Sequence, residues 1–179
     1  MSLVPQPPAS LLSENIAKKD KRHALFRQQR EQRGFDDTEL WDLDTTLVRY
    51  LLWLHKGKHL RLSAAARRAF AAYESSHRNP DNEKAVNSAL EEVFSLAAKN
   101  RELALALQQF MVPRLTAYGF NANGKPAAFS SEEEWGEAVR EMVAMFADLP
   151  WMSSGTFHLR AVHAERINLF IRHFSSLWD

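Results

Sequence analysis

The chain has 179 residues, 45% hydrophobic and 25% charged, which suits one globular domain that buries roughly 70% of its unfolded surface. A net charge of +1 gives the whole molecule no pull toward nucleic acid or an anionic membrane, so any such affinity must come from a local patch. The absence of cysteine excludes disulfides, thiolate zinc sites and cysteine nucleophiles, and it suits a cytoplasmic chain.

Residues 1–13 hold Pro5, Pro7 and Pro8 and read as a flexible tail, without the basic-then-apolar order of a secretion signal. Residues 14–179 read as a single helical domain. Ser13 can open a helix that Gly34 closes. It is basic, with Lys18, Lys19, Lys21, Arg22, Arg27, Arg30 and Arg33, and its thin apolar stripe is Ile16, Leu25 and Phe26. The charge then inverts through Asp36, Asp37, Glu39, Asp42 and Asp44, acids that favour the positive end of a helix starting near Asp36 or Asp37. Leu40, Leu43, Leu47, Leu51 and Leu54 follow at spacings of three and four, the buried stripe of a helix that Gly57 ends.

Ser63 predicts the cap of a short helix with Leu62, Ala66, Ala69, Phe70 and Tyr73 inside. Asp81 or Asn82 predicts the start of a longer one, with a break at Lys99-Asn100. Pro113 is expected to kink or divide the following segment, which should end before Gly119. Ser131 with Glu134 forms a capping box ahead of Trp135, Val139, Met142, Val143 and Phe146, and Pro150 closes that helix. A last helix from Ser154 or Thr156 turns Val162, Ile167, Phe170, Ile171, Phe174 and Leu177 inward. No segment alternates as a strand does, and the longest apolar runs fall far short of the ~20 residues a membrane span needs. The expected fold is all-α, a soluble compact bundle of about six or seven helices with a flexible N-terminal arm.

Four groups of residues occur together in this chain. They are Trp41-x-Leu43-Asp44-x-Thr46 leading into Tyr50-Leu51-Leu52, then Pro113-Arg114-Leu115-x-x-Tyr118, then Glu133-Glu134-Trp135 with Met142 and Phe146, and finally Phe170-x-x-x-Phe174-x-x-Leu177-Trp178. Together they resemble a family of small, uncharacterised helical proteins encoded by phages and prophages. The resemblance covers about half the chain, makes residues 53–111 a helical insertion, and implies a phage or prophage context. It supplies no catalytic residues.

Three kinds of function remain in view. Asp42 and Asp44 sit within the leucine stripe, and Asp44 borders or enters the buried face. A carboxylate there must be paired or protonated, and it reads as a structural ion pair with Arg49 or Arg114, as an N-terminal charge effect, or as a metal or acid-base site. The structural reading comes first. His55 and His59 have a ligand spacing, but Gly57 interrupts the turn between them. The stretch from Lys18 to Arg33 could neutralise phosphates, unless the acidic segment beside it absorbs the charge. A second basic group, Lys56, Lys58, Arg61, Arg67 and Arg68, flanks a helix junction. No phosphate loop, nucleophile elbow or His-Glu-x-x-His is present. The ordering that follows is a non-enzymatic phage or prophage accessory protein that binds another macromolecule, first a host or phage protein; then a nucleic-acid binder using the basic N-terminal helix; last a metal-dependent enzyme. No cofactor, metal or membrane is expected, and a homodimer stays open.

Overall fold

The computed structural model describes residues 6–8, 22–76, 80–121, 124–154 and 157–177. Among them are eight α-helices and no strand, so the chain is an all-α bundle. The helices are α1 (His23–Arg33), α2 (Thr38–Trp41), α3 (Leu43–Lys56), α4 (Ala64–Ser76), α5 (Pro80–Lys99), α6 (Arg101–Asn121), α7 (Glu132–Asp148) and α8 (Phe157–His173). A 3-10 helix, Leu149–Ser154, links α7 to α8, and a second, Phe174–Ser176, follows α8. No helix among the described residues is long and apolar enough to cross a membrane. Apart from residues 6–8, the expected tail and the first part of the basic helix lie outside the described residues.

Helix α3 is the axis of the bundle. Its stripe of Leu43, Leu47, Leu51 and Leu54 is fully buried, together with Leu40 of α2. Around it, α4 packs most extensively on α5 and α6 on α7, while α3 bridges α4 and α6 and α8 lies across α5 and α7. Residues 53–111 therefore share one core with the rest of the chain. Phe94, Phe146, Phe170 and Phe174 form its aromatic centre, with ring centroids 5.0–5.9 Å apart. The segment after α8 closes the bundle. The Asp44 N–H donates to the Leu177 carbonyl at 3.1 Å, and the Tyr118 hydroxyl donates to the Ser176 carbonyl at 3.3 Å.

Helix boundaries follow local chemistry in most places. Gly34 ends α1 at φ 86°, a left-handed conformation that glycine adopts without steric cost, and its N–H closes on the Arg30 carbonyl. Ser63 Oγ accepts from the Ala66 N–H, and Asn100 Oδ1 from the Leu103 N–H. Ser131 caps α7 as expected, but the Glu134 carboxylate reaches back to Ser130 instead, one residue further.

Two expectations are corrected. The helix predicted from Asp36 to Gly57 is broken at Asp42, whose φ of −131° and ψ of 67° are not helical, so α2 and α3 stand where one helix was expected. Helix α6 runs through Pro113 and past Gly119 to Asn121 without dividing. Pro113 is exposed, as is Gln109, whose carbonyl loses its helical donor to the proline and is left facing solvent. Pro150 closes α7 as expected: the α-helix ends at Asp148, and Pro150 lies in the 3-10 segment that follows.

Candidate functional site

The basic helix and the acidic segment meet across the Gly34 turn. Arg30 pairs with Asp36, Arg33 pairs with Asp37 at 2.5 Å, and Gln29 exchanges two hydrogen bonds with Asp37. Arg22 lies 5.7 Å from the Phe26 ring and 5.6 Å from the Trp41 ring, and Arg27 is 4.0 Å from Glu31. Lys18, Lys19 and Lys21 lie outside the described residues. The fold thus consumes the charge of Arg30 and Arg33 internally, which removes them from a phosphate-binding stripe.

The acids have structural work of their own. Asp36 is fully buried and accepts from the Thr38 N–H and hydroxyl, while its own N–H donates to Glu39, a reciprocal cap for α2. Glu39 is buried and receives both Nε and Nη2 of Arg114, at 3.2 and 3.0 Å. The guanidinium lies between the rings of Phe35 and Phe110, 4.9 and 3.9 Å from their centroids. Asp44 is completely buried, and its Oδ2 accepts from the Tyr73 hydroxyl at 2.5 Å. The ion pair foreseen for Asp44 with Arg49 or Arg114 is corrected: Arg49 pairs with Glu74 at 3.5 Å, and Arg114 with Glu39. Asp42 is half-buried at the break before α3.

Among the described residues no three of His, Asp and Glu could share a metal ion. His55 Nδ1 accepts from the Leu62 N–H at 3.1 Å, while His59 lies over Trp53, so the two imidazoles serve different neighbours.

A cavity of about 520 Å³ opens where the α5–α6 junction, the 3-10 helix and α8 meet. Phe94, Ala97, Leu149 and Ile167 give it an apolar floor. Lys99, Arg101 and Arg160 stand on its rim, exposed, and make no ion pair among the described residues. Beside it Trp151 is 52% exposed, with the Arg101 guanidinium 4.3 Å from its ring. His163 lines the cavity. It is buried, and its Nδ1 has no hydrogen-bond partner among the described residues. Helical spacing offered no sign of this site, because four separate segments build it. Trp151, next to Pro150 and outside every apolar stripe, was the available clue.

Burial holds the His163 imidazole below its usual value of 6.5; Asp148 opposes this and Arg166 adds to it. A depressed histidine favours the neutral folded state, so its contribution is present above 6.5 and is lost as the pH falls through the folded value. Urea unfolding from pH 7.5 to 5 should therefore show His163→Phe losing less stability than wild type, by at most about 1.4 kcal/mol per pH unit. Parallel pH profiles for the two proteins would refute this origin. At pH 7.5 the variant should be no less stable, since it removes a buried atom with no partner among the described residues and keeps the ring.

Comparison with protein-family models, with curated proteins and with solved structures finds no match for this chain.

Proposed function

We propose that the protein is a non-enzymatic phage or prophage accessory protein, working in the cytoplasm, that acts by binding another protein through the face around Trp151. The phage context rests on the four-motif resemblance. The mode of action rests on a single observation: a half-exposed tryptophan, with an arginine over its ring, beside an apolar-floored cavity that the same arginine lines. Tryptophan and arginine are the residues that most often dominate binding energy at protein interfaces, where they fill or flank pockets. The three rim cations select an acidic partner segment, and the cavity floor suits one apolar side chain of that segment. Occupying or recruiting a host or phage component would then require no chemistry on the bound partner.

The test compares wild type with Trp151→Ala in affinity capture from a candidate host, followed by titration of the captured protein. A discrete partner should bind wild type and lose at least about tenfold in affinity for the variant, with thermal unfolding unchanged. Equal binding to both proteins would remove Trp151 from the interface and the reading with it.

A further inference from the structure

We propose that the corner between α3 and α4 binds the phosphate backbone of a single-stranded nucleic acid. This surface is separate from the Trp151 face and rests on different observations. From Thr45 through Tyr73 the chain has no Asp or Glu, yet it carries Lys56, Lys58, Arg61, Arg67 and Arg68. In a molecule of net charge +1, that is a local concentration of positive charge.

The fold holds these cations together at its surface. The connection folds back on the end of α3: the Lys58 N–H donates to the His55 carbonyl, the His59 N–H to the Leu54 carbonyl, and the Leu62 N–H to His55 Nδ1, at 2.9–3.1 Å. Gly57 permits this close return, because a Cβ there would stand 3.0 Å from the His59 ring. Leu60 and Leu62 are buried, which anchors the loop and leaves Arg61 between them exposed. All five cations are exposed, and none makes an ion pair among the described residues. The neighbouring acids are engaged elsewhere: Glu74 pairs with Arg49, and Glu92 accepts from the Ser63 N–H.

Helix electrostatics make the arrangement costly for stability alone. The start of a helix favours negative charge, and α5, α6 and α7 each open on acids. Helix α4 has none of its own in its first turn, where Arg67 stands, with Arg68 one residue further on. Five exposed cations gathered on one corner, none in an ion pair among the described residues, are accounted for by an external anion with several charges in a row. The His59 ring is exposed and stacks on Trp53 with a centroid distance of 6.2 Å, offering a flat face for an unpaired base. The corner has no large exposed apolar side chain to enter a bilayer, which sets a membrane surface aside.

The test is fluorescence anisotropy of a labelled 20-nucleotide oligothymidylate, a duplex of the same length and labelled polyglutamate, across a salt series. The oligothymidylate should bind at low salt and weaken steeply, with a log–log slope approaching about −3.5 when all five cations are engaged. Lys58→Glu with Arg61→Glu should weaken binding at least tenfold, and Arg27→Glu on α1 should leave it unchanged. Arg67→Glu should also weaken it while leaving the melting temperature unchanged or higher, a combination that a structural role for Arg67 would not give. Absence of binding at low salt, or binding that survives the Lys58/Arg61 reversal, would overturn the proposal. Polyglutamate binding that the same Lys58/Arg61 reversal abolishes would overturn the assignment to nucleic acid, since the corner would then take any polyanion. Equal affinity for the duplex would overturn the assignment to a single strand.

Discussion

Arg114→Met should lower the unfolding free energy by about 3–5 kcal/mol, because it leaves the buried Glu39 carboxylate without its counter-charge. The guanidinium also lies between two phenylalanine rings and donates to the Phe110 carbonyl, so the variant gives up three kinds of contact at once. Urea unfolding near neutral pH reads the loss directly. Burial raises the Glu39 carboxyl and lowers the Arg114 guanidinium, although each charge pulls the other the opposite way. In both groups desolvation outweighs mutual attraction. The double variant Glu39→Leu with Arg114→Met should therefore regain most of the lost stability, since neither charge remains to be buried. A single variant within about 1 kcal/mol of wild type, or a double variant worse than the single, would refute this account.

Phe170→Ala should cost about 3–5 kcal/mol through lost burial and an unfilled cavity at the centre of the core. Phe170 meets Phe94 and Phe146 edge-on, with interplanar angles of 86° and 88°, and Phe174 at 61°. Such geometry adds to simple burial. Phe170→Leu keeps much of the volume but removes the ring edges, so its loss should be clearly smaller. Chemical denaturation of both variants separates the two contributions. Equal losses would show that ring geometry dominates over volume, and a negligible loss in Phe170→Ala would show that the core can collapse around the gap.

The all-α fold was readable because leucines at three- and four-residue spacing have one physical explanation, and Gly34, Ser63, Asn100 and Ser131 act through bonds within a few residues. The Asp42 break was not readable. It goes with the placing of Glu39 against Arg114, a residue of α6 far along the chain, and a local pattern holds no trace of that partner. Pro113 misled for a related reason: its cost is set by whether the proline, and the carbonyl it leaves without a donor, face the surface. The charge inversion around Gly34 suggested that acids could absorb the basic helix, and Arg30 and Arg33 are placed that way. The Trp151 cavity could not be foreseen from spacing, because its walls come from segments that the sequence keeps apart. By contrast, the basic corner was visible as a cluster, and the structure added that its cations are exposed and unpaired among the described residues.

The bonds from Asp44 to Leu177 and from Tyr118 to Ser176 tie early helices to the segment after α8. On a translating ribosome, α3 would emerge long before the stretch that seals it, so its leucine face must wait, covered by provisional contacts or by a chaperone. Final packing is then a late, long-range event, and chain entropy slows such closures more than local helix formation. Shortening the segment from Phe174 to Leu177 should therefore reduce the yield of folded protein in cells more than the area it buries would suggest.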